Sequence, residues 1–407
     1  MCEVVLGGTP RTAVDAYWDG SIPWLTPGEM GKILGPYVED TKRKLTEEGL
    51  KAGSSLFPSR SVVLSTRAPI GYVFINRVPM CTNQGCKTLV PSSEVWPEYL
   101  YFNLLGRTDE LNQLGTGTTF KELATGALKG IEIPLPPLSV QREIVARLER
   151  ELGAVDKLAK KFEELEAAAE AEFKAELKET FEEIKHRGEM HRRSSASEGR
   201  FGEAEPEGRA SVCETQRLGD VCELINGDRG KNYPAKSKLH VKGVIPFISA
   251  LNINHGNVET ERLLYLDEKQ YLSLRAGKLK KGDIALCIRG SLGKYCVYPF
   301  DRGAIASSLV ILRCYDVVVN RFVAVFIESP FFYSQISGHE TGTAQPNLAA
   351  KNVARFEIPI PSLSVQREVV ARLDAAKAKK EKLVAAARRG RETAALMRKA
   401  ILKEAFE

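Results

Sequence analysis

The chain has 407 residues, 43% of them hydrophobic and 27% charged, which is enough for two or three domains with buried cores and excludes disorder throughout. No run of about 18 apolar residues occurs, so no membrane-spanning helix is expected, and the start lacks the basic region and the apolar stretch of a signal peptide. The eight cysteines include no Cys-x-x-Cys pair and read as reduced, mostly buried thiols rather than a disulfide frame or a zinc site; the net charge of +6 is mild.

In chain order, residues 1–138 read as a β-rich globular domain. Short apolar runs such as Ser61–Leu64 and Tyr72–Ile75 are bounded by Gly, Pro, Asn and Ser, the punctuation of strands, and 97–105 reads as a helix packed on them. Trp18, Trp24 and Trp96 read as core rather than as stacking platforms. Pro134, Pro136 and Pro137 then end a strand, Ser139 is placed as an N-cap, and apolar residues recur every three or four positions through 139–185. A helix of that length spans roughly 70 Å, too long to bury its stripe on one small domain, so it needs a partner helix. Residues 186–211 lack apolar periodicity and are rich in Ser, Gly, Glu and Arg, which predicts a flexible polar linker. A second β-rich domain follows over 212–363, with strands at Asp283–Ile288 and Leu309–Leu312 and a helix over Asn320–Ser337. A second long helix, capped by Ser364, fills 364–407.

The second half repeats the first. Residues 131–148 and 356–373 are identical at 14 of 18 positions at an offset of 225, and Thr116-Gly-Thr118 lies over Thr341-Gly-Thr343 at the same offset. Arg67 lies over Arg289, Ile22-Pro-Trp24 over Ile245-Pro-Phe247, and Met1–Gly7 over Val221–Gly227, so small loop insertions separate landmarks kept in order. The second copy opens with Arg217-Leu-Gly-Asp220, for which the first has no counterpart; a late start and a naturally shorter first copy are both open readings. The first long helix carries nine basic and thirteen acidic residues and the second twelve and six, so opposite charges favour pairing them with each other. If they run antiparallel, the two domains sit at opposite ends of a rod related by a pseudo-two-fold axis.

These residues carry a family resemblance. The twin IPxPxLSVQREVVARL-like segments, each after a Thr-Gly-Thr loop, and the opening Gly7-Gly-Thr-Pro-Arg11 with Tyr17-Trp18 and Ile22-Pro-Trp24 resemble the conserved regions of type I restriction-modification specificity subunits over essentially the whole chain. Val140 and Val365 stand where that family usually carries an acid; the change is in both copies and reads as a lineage variation. The resemblance implies an α+β fold: two similar target-recognition domains, β-rich with helices, separated by two long antiparallel coiled-coil helices. Each domain would read one half of a split, asymmetric site in double-stranded DNA. The helices would set the gap and dock two adenine-methyltransferase subunits and, through them, the restriction and translocase subunits. The chain itself would bind no cofactor; S-adenosylmethionine, ATP and Mg2+ are expected on the partner subunits, in a prokaryotic cytoplasm and away from any membrane.

Candidate DNA contacts are polar loop residues at matching places in the two copies: Thr9, Arg11, Arg67, Thr116, Thr118, Thr119 and Lys121 in the first, and Arg229, Lys231, Asn252, Asn254, Arg289, Ser291, Thr341, Thr343, Gln345 and Asn347 in the second. Arg binds guanine and Asn or Gln adenine through paired hydrogen bonds, while Thr and Lys hold phosphate. Tight-turn geometry is the competing reason for the shared Thr-Gly-Thr and Gly-Gly-Thr-Pro segments. The basic run Lys377–Arg391 reads as a solvated helix face or as a stripe above the unread base pairs. No phosphate-binding Gly-rich motif, zinc-protease helix, adenine-transfer motif or paired-carboxylate nuclease signature occurs, so neither catalysis nor a metal site is expected. The alternative is a structural adaptor that dimerises a protein partner through the coiled coil and never touches DNA. It is kept because residues 1–138 carry a net charge of only −1.

Overall fold

The structure is a computed structural model that describes residues 1–117, 121–197, 213–230, 233–254, 256–337 and 347–406. It divides into two units, Met1–Glu164 with Ala387–Glu407, and Leu165–Ala386. Each long helix contributes one segment to each unit. No described helix is long and apolar enough to cross a membrane.

The first unit is built on a five-stranded sheet in the order Cys2–Leu6, Cys86–Pro91, Val62–Thr66, Ile70–Asn76, Tyr37–Val38. All neighbours are antiparallel except the last pair. The run Val62-Val63-Leu64 is buried on both faces, as expected of a central strand made from β-branched and aliphatic residues. A smaller sheet joins Trp18–Leu25 to Lys44–Leu45 and, in parallel, to Cys81–Thr82. Trp18 and Trp24 are buried there at a T-shaped 5.1 Å, with the Arg43 guanidinium 3.5 Å from the Trp18 ring centroid. Trp96 is half-buried between Arg60 and Arg142. The helix Pro97–Gly106 closes the core with Tyr99, Leu100 and Leu104. From the last helix, Leu402 joins that core, and beyond it Phe406 packs edge-on against Tyr99 with ring centroids 5.4 Å apart.

The second unit repeats this plan. Its main sheet runs Cys222–Asn226, Leu309–Cys314, Ile284–Cys287, Tyr295–Val297, and a second sheet holds Ile245–Ile248 between Leu264–Leu266 and a parallel Gly303–Ile305. These four main-sheet strands and the three of the second sheet match the first unit in order and direction; among the described residues the first unit's parallel edge strand Tyr37–Val38 has no counterpart there, and Lys278–Leu279 adds a fourth strand to the second sheet. A further pairing is found in the second unit alone. Glu357–Ile360 pairs with Glu214–Arg217, burying Ile358 and Ile360. The corresponding segment 132–135 forms no strand and leaves Leu135 exposed.

The long helices are Leu138–Ser197 and Leu363–Glu404. In the first unit Asp156 pairs with Arg398 at 2.8 Å and Glu163 with Arg391 at 3.9 Å. In the second, Glu170 meets Lys380, Glu172 meets Lys379 and Glu176 meets Arg372 at 3.7, 2.8 and 3.7 Å. One number rises as the other falls, so the helices are antiparallel within each unit. In every one of these pairs the acid lies on the first helix and the base on the second, the complementarity their compositions predict. Solvated pairs of this kind contribute about 0–1 kcal/mol each, so the apolar stripe carries the stability. That stripe includes Leu148, Leu152 and Val155 in the first unit and Phe173, Leu177, Phe181 and Ile184 in the second. Gly390 lets the second helix approach Phe162, whose ring would lie 2.4 Å from a Cβ there.

Three sequence expectations change. Residues 186–197 are helical rather than linker: they hold no proline, and Gly188, which weakens a helix by about 1 kcal/mol, is buried where a side chain would meet the Cys213 carbonyl at 2.5 Å. Ser139 and Ser364 lie inside the first turn instead of capping it, since the Val140 and Gln141 amides donate to the Pro137 carbonyl and the Gln366 amide to that of Ser362. The single helix over Asn320–Ser337 is two, Asn320–Glu328 and Pro330–Ile336, because Pro330 has no N–H to continue the ladder and disfavours helical Ser329. Ser329 restarts it, its hydroxyl accepting from the Phe332 amide at 3.4 Å.

Candidate nucleic-acid interface

The most repeated feature of the two units is the footing of the Thr-Gly-Thr loops. In the first unit the strand Val62–Thr66 ends at Arg67, which bridges to Glu122 across the base of the loop. The Arg67 guanidinium donates to the Glu122 carboxylate, and Leu123 N–H donates to Thr66 O at 2.9 Å. In the second unit Arg289 bridges to Asn347, its Nε donating to Oδ1 at 3.1 Å, and Leu348 N–H donates to Ile288 O at 2.8 Å. Leu123 and Leu348 are both fully buried and pin the returning chain. The same two positions, an arginine just past a strand end and an acceptor four residues after the Thr-Gly-Thr, thus pair in both units.

Around this footing the units differ. In the first, Lys87 is buried, its ammonium donating to Leu123 O at 2.6 Å and to Thr66 Oγ1 at 3.3 Å, and lying 3.6 Å from Glu122. Burial holds the Lys87 pKa below the ordinary lysine range, while the hydrogen bond from Arg67, more than the nearby charges, holds Glu122 below the ordinary carboxylate range. Lys87 and Glu122 line an open cavity of about 650 Å³ with Gly7, Gln84, Thr116 and Thr125. Strand pairing puts Lys87 opposite Leu6 and Val310 opposite Asn226, so a valine takes the lysine's place in the second unit.

The structure brings some sequence candidates together and separates others. Thr9 is exposed, and its hydroxyl donates to Gln84. Thr116 is exposed and exchanges two backbone hydrogen bonds with Glu122, with exposed Lys121 beside it. Arg11 is exposed but lies outside the residues lining the cavity. In the second unit Asn254 and Ser291 are exposed and line one cavity of about 610 Å³, against Lys174, Lys377 and Lys380 of the helix pair. Arg229 is exposed; its backbone N–H donates to Asp228. Asn252 is corrected: it is buried, its Oδ1 accepts from Ser249 N–H and Oγ, and its Nδ2 donates to Arg262 O, which commits both ends of its amide to a turn. Thr118, Thr119, Lys231, Thr341, Thr343 and Gln345 lie outside the described residues.

Sequence reasoning missed Gln84, Lys87 and Glu122. Glu122 could have been found, since it stands at the offset of 225 from Asn347. It also missed the two glutamines of the repeated motif. Gln141 is fully buried; its Oε1 accepts from Trp96 N–H, and its Nε2 donates to Glu94 O and Pro136 O, all at 2.8 Å. Gln366 does the same with Val319 N–H and Pro361 O at 2.8 Å and Val317 O at 3.4 Å. In each unit one side chain thereby joins a long helix to the start of the domain's packing helix.

The family profile described as "Type I restriction modification DNA specificity domain" matches residues 1–167 and 211–386, one match to each copy of the repeat. The chain belongs to this family. Among specificity subunits it resembles are that of the type I restriction enzyme MjaIX from Methanocaldococcus jannaschii, 32% identical over 257 residues, and that of EcoBI from Escherichia coli, 24% identical over 310 residues. These stretches are 62% and 73% of this chain but only 56% and 62% of those proteins. Two solved chains share the fold over 99% of this one, both at 20% identity. One, from work on complex assembly and conformational transition of the type I R-M system, has a TM-score of 0.75 and is covered to 95%. The other, the HsdS subunit from Thermoanaerobacter tengcongensis, has a TM-score of 0.56 and is covered to 94%. For a specificity-family chain, the two loop footings are where one scaffold presents two different sets of side chains.

Proposed function

We propose that this chain reads DNA sequence for a type I restriction-modification system, each unit recognising one half of a split site. The observation that carries the reading is a duplicated pairing: Arg67 binds Glu122 and Arg289 binds Asn347 at equivalent positions, while the residues around them, Lys87 against Val310 for instance, differ. A shared frame fixes position on the phosphate backbone and divergent side chains choose bases. The reading domains are 1–138 and 212–363, each followed by a long helix, Leu138–Ser197 and Leu363–Glu404.

Thr9, Arg11, Arg67, Thr116, Thr118, Thr119 and Lys121 are the contacts proposed for the first half-site. Arg229, Lys231, Asn254, Arg289, Ser291, Thr341, Thr343, Gln345 and Asn347 are those for the second. The chain is not itself an enzyme in this reading. It docks two adenine-methyltransferase subunits, which carry S-adenosylmethionine, and through them restriction and translocase subunits that use ATP and Mg2+, in a prokaryotic cytoplasm. Joining two modest recognitions in one molecule raises the effective concentration of the second at the first, which makes a bipartite site tight.

The test is equilibrium binding of fluorescent duplex DNA to the complex with the methyltransferase, across a salt series. Arg67→Ala weakens binding and lowers the salt slope by about one phosphate equivalent, whereas Glu122→Gln, which loosens the footing and keeps the cation, weakens it less. Equal losses from the two variants would make Arg67 a footing only. Absence of DNA binding by the complex would favour the adaptor reading.

A further inference from the structure

The second unit carries two thiols in contact that DNA reading does not use. Cys222 and Cys314 face each other across an antiparallel strand pair, with Sγ atoms 3.4 Å apart. Tyr315 N–H donates to Val221 O at 2.9 Å, so the adjoining pair is hydrogen-bonded and the cysteines occupy the non-hydrogen-bonded site beside it. At such sites side chains approach most closely and Cα atoms lie about 4.5 Å apart, within the roughly 4.4–6.8 Å that a disulfide spans. Cys222 is buried and Cys314 half-buried, so a small oxidant reaches the pair through Cys314.

The internal repeat supplies a control. Cys2 stands where Cys222 does, in the same strand and register, but faces Pro91. Among the other cysteines, Cys287 and Cys296 lie on neighbouring strands, and both are fully buried with no face open to solvent.

We propose that Cys222 and Cys314 form a reversible dithiol–disulfide site that takes peroxide as oxidant. The Cys314 sulfur attacks one peroxide oxygen, the O–O bond breaks, and the departing hydroxide leaves as water with the thiol proton. The Cys222 sulfur then displaces the hydroxyl of the resulting sulfenic acid. The S–S bond forms, a second water leaves, and two thiols have given two electrons to the peroxide. The hydrogen bond with Cys314, followed by burial, pushes the Cys222 thiol pKa up. Cys222–Asn226 is an edge strand with one neighbour, so the bond ties down the end of the sheet that hydrogen bonds hold on one side only.

The test uses the folded full-length chain exposed to a few equivalents of hydrogen peroxide, then blocked with an alkylating reagent and digested with trypsin without reductant. The expected product is the peptide Leu218–Arg229 linked to Cys314–Arg321, two mass units below the sum of the free peptides and released by dithiothreitol. Six of the eight thiols remain alkylatable only after unfolding or by direct access, and Cys314→Ser and Cys222→Ser each abolish the linked peptide. The oxidised chain keeps its circular dichroism spectrum and melts at higher temperature than the reduced one. Recovery of eight free thiols from peroxide-treated, folded protein would overturn the proposal. So would a linked pair other than 222–314, or a 222–314 link that forms only after unfolding.

Discussion

Replacing Gln141 by alanine removes three hydrogen bonds of 2.8 Å from a site with no solvent exposure, and leaves Trp96 N–H and the Glu94 and Pro136 carbonyls without their partner. At a net of about 1 kcal/mol per bond, with more for buried groups left unpaired, the loss is roughly 3 kcal/mol. With a urea m-value of about 2–3 kcal/mol/M, the unfolding midpoint falls by about 1 M. All three tryptophans lie in the first unit, so their fluorescence follows that unit's unfolding and circular dichroism follows both. Gln141→Ala therefore moves the tryptophan transition. Gln366→Ala, whose third bond is a longer 3.4 Å, leaves that transition in place and moves the remainder of the dichroism change by somewhat less. A tryptophan midpoint that shifts by under about 0.2 M in Gln141→Ala would refute the view that the repeated glutamine is a structural bolt.

Further tests bear on the helices, the bare edge and the buried thiols. A Cβ at Gly153 meets nothing within 4 Å, so Gly153→Ala stabilises the first unit by up to about 1 kcal/mol, whereas Gly390→Ala destabilises it despite alanine's better helix propensity, because Phe162 must move; melting of both variants checks the opposite signs. Placing Glu214–Asp220 in front of Met1 gives 132–135 a strand to pair with, and is expected to add about 1–2 kcal/mol to the first unit and to protect 132–135 from amide exchange; unchanged exchange would contradict the pairing. Burial lifts the Cys86 and Cys296 thiols to about 12, while in the unfolded chain they titrate near 8.5. Their contribution to stability is therefore whole below about pH 8.5 and falls as pH rises toward 12, by up to about 1.4 kcal/mol per pH unit per thiol. Melting at pH 8 and pH 10.5, with Cys86→Ala and Cys296→Ala shallower than the parent, tests the sign.

Much of the architecture was legible because the chain states it twice. Landmarks at offsets near 225 fixed equivalent strands, and the opposite charges of the helices named their partner before any contact was known. Reading was poorer where meaning depends on what lies across a sheet or under a loop. Asn252 has the residue type and loop setting of a base contact, yet Ser249 and Arg262 claim its amide. Lys87 sits mid-strand and reveals its place only when Leu123 and Glu122 close over it. Cys222 and Cys314 are 92 residues apart and become a pair only through strand register. The helical 186–197 failed for a related reason: a polar, glycine-bearing segment looks like linker until Cys213 is seen packed on Gly188.

The most direct test of DNA reading is a map of methylated adenines across the host genome, with and without this gene. The account predicts that one split motif, two short half-sites around a fixed gap, disappears with the gene, and that exchanging residues 1–138 for another reading domain changes only one of its halves. An unchanged set of methylated motifs in a host whose methyltransferase is active would contradict it.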